Sequence, residues 1–200
     1  MKIAITGSNS GVGQALCQQL QSHDLVELTR EQLDLGNIDH VLSYSIGNVD
    51  MLINCAGTDV GGKIDFANHR TNAIVETLTV NLLAPVILTQ KALKNNSKCR
   101  IVNITSTNNR RYYANNLVYS LSKQSLSEFG NMLTVDYPNV DLLEIRLGLT
   151  KTNFNQARYK LEPNRFDDVY VNQHLTVDQV AVKILGVLFD PSVKFIEISP

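Results

Sequence analysis

The sequence predicts an α/β fold in which one parallel sheet carries helices on both of its faces. Three observations indicate this fold class. Short runs rich in β-branched residues alternate with longer segments whose apolar residues recur at helical spacing. The first short run leads directly into a glycine-rich turn. No internal repeat, low-complexity tract or linker divides the 200 residues, so we predict a single domain over residues 1–200.

The short runs predict a sheet of about seven strands. Six of them are KIAIT (2–6), LVELT (25–29), MLINC (51–55), RIVNIT (100–105), LLEIRL (142–147) and KFIEIS (194–199). A shorter run, QLDL (32–35), is predicted to be a further strand between the second and third of these. Strands that alternate with helices pair in parallel and are covered on both faces, which gives a doubly wound sheet.

Helical patterns occupy the intervals between these strands. Helices are predicted over 12–20, 72–94 and 117–135, and a last helix begins at Thr176, where Gln179 completes the spacing of a capping box. Between LVELT and QLDL there is no room for a helix. The crossover after the second strand is therefore expected to be a loop, with its helix missing or reduced.

The composition restricts the classes of partner. Hydrophobic residues make up 44% and charged residues 18%, a balance typical of a globular domain, and the formal net charge is −1. Nothing here favours nucleic acid or an anionic membrane as a partner. The start of the chain is interpreted as neither a signal peptide nor an anchor. Cys17, Cys55 and Cys99 form no CxxC pair, which predicts reduced, buried thiols in a cytoplasmic protein. The four histidines lack metal-ligand spacing, so no metal is assigned.

The glycine-rich turn TGSNSGVG, at 6–13, is the first candidate site. Gly7, Gly11 and Gly13 fall where the chain leaves a strand, turns and enters a helix. Glycine allows the backbone to approach a ligand closely, and the amide groups at a helix start attract a pyrophosphate. The turn therefore favours dinucleotide binding on a Rossmann-type sheet. A purely structural turn is the alternative.

The second candidate site is the segment LVYSLSKQ at 117–124. On a helix, Tyr119 and Lys123 project from the same face, one turn apart. An ammonium group beside a phenol lowers the phenol pKa from its reference value of about 10, which suits proton transfer near neutral pH. The alternative is an ordinary solvated pair of side chains.

Four features follow one another along the chain: TGSNSGVG at 6–13, NCAG at 54–57, Ser106 after a strand, and YSLSK at 119–123. Together they resemble the short-chain dehydrogenase/reductase family, and the resemblance covers essentially the whole chain. Ser106 precedes Tyr119 by thirteen residues, the usual family interval, and Asn81 in VNLLAP matches the helix asparagine of the family. The resemblance implies an oxidoreductase that transfers a hydride between a nicotinamide and a small carbonyl or alcohol. Its implied catalytic residues are Asn81, Ser106, Tyr119 and Lys123.

The family mechanism assigns a role to each of these four residues. Tyr119 donates a proton to the carbonyl oxygen, and Ser106 holds that oxygen by a second hydrogen bond. Lys123 lowers the pKa of Tyr119 and holds the ribose hydroxyls, and Asn81 links the lysine to solvent through a water. Taken alone, Ser106 could instead cap a turn, and Asn81 could instead satisfy a kinked helix ahead of Pro85.

The resemblance also indicates which cofactor is bound. Thr29 stands where NAD-dependent members carry an acid, and Arg30 follows it; a guanidinium pairs well with a 2′-phosphate. NADP(H) is therefore favoured over NAD(H), and the alternative is that Arg30 is a surface arginine. The predicted cofactor-binding residues are Thr6, Gly7, Ser8, Asn9, Ser10, Gly11, Val12, Gly13, Thr29, Arg30, Asp34, Leu35, Asn54, Cys55, Ala56, Gly57, Tyr119, Lys123, Gly148, Thr150 and Thr152.

The chain departs from the family pattern in its length and in the turn after the sixth strand. It is shorter than typical members, and Leu147 replaces the proline of the Pro-Gly pair that follows the sixth strand, which leaves that turn less rigid. The segment 154–172, where the family places its substrate lid, is polar and interrupted by a proline. The loop before Tyr119 contains two arginines and two tyrosines. The side chains suggested as pocket walls are Tyr112, Tyr113, Tyr159, Phe166 and Tyr170, and the loop arginines are Arg110 and Arg111.

Partners and an alternative function remain open. The resemblance implies a homodimer or homotetramer formed through the helices that carry Asn81 and Tyr119. Leu126, Phe129 and Leu133 could form an apolar stripe for that contact or could equally be core. The alternative function is a non-catalytic NADP(H)-binding redox sensor or regulator on the same fold.

Overall fold

Six parallel strands form the sheet in the computed structural model, which describes residues 1–109, 113–154, 158 and 174–200. The strands are β1 (Lys2–Thr6), β2 (Asp24–Leu28), β3 (Met51–Asn54), β4 (Arg100–Ser106), β5 (Asp141–Leu147) and β6 (Phe195–Ile198). Their spatial order is β2-β1-β3-β4-β5-β6, and every neighbouring pair is parallel. The predicted Rossmann-type α/β class is therefore confirmed.

The helices are α1 (Gly11–Gln19), α2 (Ile38–Ser43), α3 (Thr71–Leu78), α4 (Ala84–Asn95), α5 (Leu117–Asp136) and α6 (Val177–Leu188). Every helix except the short α2 lies where the apolar periodicity predicts it. A π-helical turn, Thr79–Leu83, joins α3 to α4, so the predicted helix over 72–94 is nearly continuous. Turns of this kind are frequent at functional sites, and this one contains Asn81.

The two faces of the sheet bury separate cores. Successive side chains of a strand point to opposite faces, so Ile3 and Ile5 pack with α1 and α6, whereas Ala4 packs with α2 and α4. β1 and β3 are thus apolar on both faces, which explains their continuous hydrophobic runs in the sequence. Cys17 and Cys99 are buried, and all three cysteines are free thiols, as predicted.

The predicted strand over 32–35 is wrong. These residues form turns and irregular backbone, and six strands rather than about seven are present among the described residues. Leu33 and Leu35 are 1% and 8% exposed. Their alternation with polar residues therefore reflects burial of one side of the segment, and here a loop is buried in this way instead of a strand. The amide of Leu33 donates to the Thr29 carbonyl in a turn. The crossover to β3 keeps only the six-residue α2, a reduced helix as predicted.

One helical stretch, Thr71–Asn95, is long and apolar enough to span a membrane by length and composition alone. Within it, Ala84, Leu88 and Ala92 are fully buried against the sheet. The apolar character of this stretch is therefore used for packing inside the domain. That the protein has no membrane partner stays a prediction.

The outer surface of α5 bears on the predicted oligomer. Leu126 is buried and Phe129 and Leu133 are partly buried, so the stripe predicted from the sequence belongs largely to the core. Leu117 and Leu121 are instead the exposed apolar residues near the start of this helix. Met132 and Val135 are exposed further along the same helix, and association through α5 stays a prediction.

The capping box at the start of α6 gives a stability prediction. The Thr176 hydroxyl accepts a hydrogen bond from the Gln179 amide, and the Gln179 side chain accepts one from the Thr176 amide, as the spacing predicted. We expect Thr176→Ala to lower the free energy of unfolding by about 1 kcal/mol. Thr176→Ser keeps the hydroxyl and should leave it nearly unchanged. Urea denaturation followed by circular dichroism measures both, and equal values for the three proteins would contradict the prediction.

Candidate active site

A cleft of about 1030 Å³ lies at the carboxyl ends of the central strands. Ligands of open α/β sheets bind at this edge. The described lining includes twelve of the residues predicted for cofactor binding, which lie in the glycine turn, after β2, after β3, on α5 and after β5. Those residues are Asn9, Ser10, Gly11, Val12, Arg30, Cys55, Gly57, Tyr119, Lys123, Gly148, Thr150 and Thr152. Ser106 lines the same cleft.

The glycine turn brings α1 directly against the end of β1. Gly7 and Gly11 have φ values of +67° and +46°, a conformation that glycine adopts without strain. A methyl group added at Gly13 would come 2.2 Å from the Gly7 carbonyl oxygen. This contact leaves no room for a side chain, so the helix can begin one turn from the strand with its first amide groups facing the cleft.

Thr6 joins the glycine turn to the NCAG segment. Its hydroxyl accepts hydrogen bonds from the backbone amides of Cys55 (3.0 Å) and Ala56 (3.1 Å). Asn54 lies beneath the cleft instead of lining it, because its amide is buried and donates to Asn103 (2.9 Å). The segment is thus fixed from both sides, and Gly57 is left at the surface of the cleft.

These residues fit the pyrophosphate of a dinucleotide. The absence of side chains at Gly11 and Gly13 leaves the backbone amides of the turn accessible to a pyrophosphate. The Ser8 hydroxyl is buried in this turn and, within the described part of the chain, has no hydrogen-bond partner. Thr152, predicted to bind the cofactor, lies across from this turn, with its methyl group 3.2 Å from where a Gly11 side chain would begin.

Arg30 lies at the rim of the cleft, beyond β2. Its side chain is 71% exposed, and its nitrogens lie 3.8 Å from the Asp34 carboxylate and 3.7 Å from the Glu76 carboxylate of α3. Leu35 is in the core and cannot line the cleft. Two long ion pairs therefore hold the guanidinium where the second strand meets the cleft, the position predicted for a 2′-phosphate contact.

Lys123 is buried under the NCAG segment. It is 4% exposed, its Nζ donates to the Ile104 carbonyl (3.0 Å), and a methyl group at Gly57 would lie 3.3 Å from it. Burial lowers the pKa of Lys123 to about 8. The Cys55 thiol lies near this ammonium, but burial raises the pKa of that thiol to about 12, so it remains protonated at neutral pH.

The pKa of Tyr119 depends on its burial and on its neighbours. Burial raises the pKa of Tyr119, and the positive charge of Arg158 together with a hydrogen bond from Ser106 opposes that rise. The sequence assigned the lowering of this pKa to Lys123, whose ammonium group is directed at the Ile104 carbonyl in this structure, and that assignment stays a prediction. Spacing on a helix places two side chains on one face but does not make their polar ends meet.

Asn81 clamps the loop after β3. Its amide oxygen accepts from the Thr58 amide (2.8 Å), and its amide nitrogen donates to the Thr58 carbonyl (2.8 Å) and to the Ser122 hydroxyl on α5 (2.9 Å). The side chain is fully buried. Asn81 thus ties the NCAG loop to the helix that carries Tyr119 and Lys123. The predicted water link to the lysine stays a prediction.

Two residues of the site had no signal in the sequence. Asp59 and Arg158 form an ion pair, with 2.7 Å between the Asp59 Oδ2 and Arg158 Nε atoms, and both line the cleft beside Tyr119. They are 99 positions apart, so no local pattern connects them. Phe154, the first residue of the predicted lid, packs its ring 5.4 Å from that of Tyr119.

Several predictions fall outside the described residues. Arg110, Arg111 and Tyr112 do so, as does the predicted lid over 155–157 and 159–172, with Tyr159, Phe166 and Tyr170. Tyr113 is described and lines the cleft. Within the described ranges no group of three or more histidine, cysteine or acidic side chains could hold a metal ion.

The comparison with known families decides the assignment. A family model described as short chain dehydrogenase matches residues 34–162, more than half of the chain. The chain belongs to the short-chain dehydrogenase family. The NADP-dependent 3-hydroxy acid dehydrogenase of Schizosaccharomyces pombe is 26% identical to this short-chain dehydrogenase, over 93% of the chain and 86% of that protein.

Two solved structures show the same fold. A closed form of serine dehydrogenase complexed with NADP+ has a TM-score of 0.85 and 22% identity, over 100% of this short-chain dehydrogenase and 95% of that chain. A 4-hydroxyisoleucine dehydrogenase complexed with NADH has a TM-score of 0.81 and 21% identity, over 98% and 96%. At these identities the likeness concerns the fold, which is the predicted one.

Proposed function

We propose that this short-chain dehydrogenase is an NADP(H)-dependent oxidoreductase that transfers a hydride between the nicotinamide and a small carbonyl or alcohol substrate. One observation carries the proposal. Tyr119, Ser106 and Lys123 line the same cleft as Asn9, Ser10 and Gly11 of the glycine turn. A proton donor is thereby joined to a dinucleotide site in a single groove, as the chemistry requires.

Three residues of the chain would each have a separate role in this reaction. When bound, NADPH supplies the hydride that reduces the carbonyl carbon. Tyr119 gives its proton to the carbonyl oxygen in reduction and removes it from the alcohol in oxidation. Ser106, which lines the cleft with Tyr119, donates its hydroxyl hydrogen to the same oxygen as negative charge develops on it. Lys123 binds the hydroxyls of the nicotinamide ribose from beneath Gly57.

The preference for NADP(H) rests on Arg30. A guanidinium at the end of the second strand stabilises a 2′-phosphate, and a carboxylate at Thr29 would repel it. The name of the S. pombe relative, an NADP-dependent enzyme, agrees with this preference, as does the NADP+ in the serine dehydrogenase structure. The 4-hydroxyisoleucine dehydrogenase was solved with NADH, so the fold by itself does not decide between the cofactors.

Arg30→Ala separates the two cofactors. We expect it to weaken NADPH binding by about 10- to 100-fold, the value of a hydrogen bond to a charged group, while NADH binding changes by less than about threefold. Fluorescence titration of the reduced cofactors measures both constants. Arg70→Ala removes an exposed arginine outside the cleft lining and serves as the control. Equal losses of NADPH and NADH affinity would contradict the role of Arg30.

A substrate panel tests the proposed reaction. Small aldehydes, ketones and keto acids are supplied with NADPH, and the matching alcohols and hydroxy acids with NADP+, while absorbance of the reduced nicotinamide is followed. Hydroxy acids come first, because the S. pombe relative is named for a 3-hydroxy acid. Turnover of any compound, lost on Tyr119→Phe, supports the enzyme. Tight NADPH binding without turnover across the panel would favour the redox sensor instead.

A further inference from the structure

The wall of the cleft beside Tyr119 contains a buried ion pair. The Arg158 and Asp59 side chains are 5% and 2% exposed, and their closest charged atoms are 2.7 Å apart. Taking both charges out of water is costly, and such a pair is often no more stable than apolar residues in its place. Stability alone therefore does not explain why this ion pair is present at the edge of a reaction site.

The reason lies in what the guanidinium contacts. The Arg158 Cζ atom lies 4.5 Å from the centre of the Tyr119 ring and 5.9 Å from that of Phe154. A cation at this distance is attracted to the ring face. It also favours the phenolate over the phenol, and in a buried position that preference is weakly screened.

We propose that Arg158, held in place by Asp59, is a positioning residue that sets how readily Tyr119 releases and regains its proton. The inference rests on the proposed function, in which that proton reaches the substrate. Arg158 acts through Tyr119 in this scheme, and no direct contact with the reacting atoms is required of it.

The other charged groups around Tyr119 do not replace Arg158. Lys123 is on the same helix, but its Nζ is bonded to the Ile104 carbonyl. The negative charge of Asp59 raises the pKa of Tyr119, and His69 lowers the pKa of Asp59. Because burial also raises the pKa of Tyr119, the positive charge of Arg158 opposes two effects of the opposite sign.

The sign of the effect differs between the two directions of the reaction. Oxidation requires deprotonated Tyr119. At a pH below the titration midpoint of Tyr119, raising that midpoint by one pH unit lowers the deprotonated fraction tenfold. Reduction needs Tyr119 protonated, a state that a higher midpoint preserves. Loss of the Arg158 charge should therefore slow oxidation at pH 8 by at least about fivefold and change reduction by less than about twofold. Simple damage to the site would slow both.

The direct test observes Tyr119 itself. In the NADP+ complex of protein labelled with 13C at the tyrosine Cζ, the Tyr119 signal is the one missing from Tyr119→Phe, and its shift is followed against pH. We expect Arg158→Gln to move the midpoint to higher pH and Arg158→Lys to restore most of the native value. Asp59→Asn removes the opposing charge while its amide oxygen can still accept from Arg158, so the midpoint should move to lower pH.

Arg100→Gln is the matched control. Arg100 is equally buried, is paired with Asp141 and lies at the opposite end of β4 from Ser106. Its loss should lower stability and leave the Tyr119 midpoint unchanged. Should Arg158→Gln not fold, judged by circular dichroism, Asp59→Asn alone decides by the sign of its shift.

An unmoved or lowered midpoint in Arg158→Gln, or an unmoved or raised one in Asp59→Asn, overturns the inference. The readout requires no turnover. If the midpoints shift as expected but no compound in the panel reacts, the proposed function is wrong and the effect of Arg158 on Tyr119 stands. If substrates react normally and the midpoints do not move, only the inference is wrong.

Discussion

Tyr119→Phe is expected to lower kcat by about 10²- to 10⁴-fold, the range that a positioned acid or base contributes, while the Kd for NADPH changes by less than about twofold. The substitution removes only the hydroxyl. The ring that packs on Phe154 and lies under Arg158 remains, so the walls of the cleft are kept. Steady-state rates with the best substrate of the panel, together with fluorescence titration of NADPH, measure the two quantities.

Tyr137→Phe is the control for this experiment. Tyr137 follows the last residue of α5, far along the same helix from Tyr119, and is exposed. It should keep the native kcat and Kd. Native turnover in Tyr119→Phe would remove this residue from the mechanism. A parallel loss of NADPH binding would instead show that the hydroxyl supports the cofactor.

Local patterns account for what the sequence predicts well. A strand that runs into glycines must turn sharply, and a tyrosine and a lysine four apart on a helix must share a face. Both rules involve only residues that are close in the sequence. The structure places Tyr119 and Lys123 in the cleft, and Gly7 and Gly13 in the turn that borders it. The capping box at Thr176 belongs to the same class.

Long-range burial accounts for what the sequence does not predict. The pKa of Tyr119 is governed by its burial and by Arg158, which comes from a distant part of the chain. The segment 32–35 alternates like a strand because its leucines enter the core from a loop. Asn81 spans from the π-helical turn to Thr58, a contact fixed by how two elements pack. In each case the residue that determines the behaviour is brought close by the tertiary structure, and a local sequence pattern contains no information about it.

Gly13→Ala is expected to damage cofactor binding and stability together. The added methyl group would lie 2.2 Å from the Gly7 carbonyl oxygen and 2.9 Å from its carbon. Both are backbone atoms, so either α1 must move off the turn or the turn must open. Overpacking of this kind costs about 1–3 kcal/mol of unfolding free energy. Either movement also displaces the amide groups of the turn, and we expect NADPH to bind at least about tenfold more weakly.

Gly186→Ala isolates this steric effect from the general effect of adding a methyl group to a helix. Gly186 lies in α6, and outside the backbone of that helix a methyl group there meets no atom of the described residues within 4 Å. Because alanine is the better helix former, the control should be more stable than the native chain by about 0.5–1 kcal/mol and should bind NADPH equally well. Urea denaturation and NADPH titration of both variants decide the matter. Native NADPH affinity in a folded Gly13→Ala protein would mean that the turn does not hold the dinucleotide, and the proposed function would lose its cofactor site.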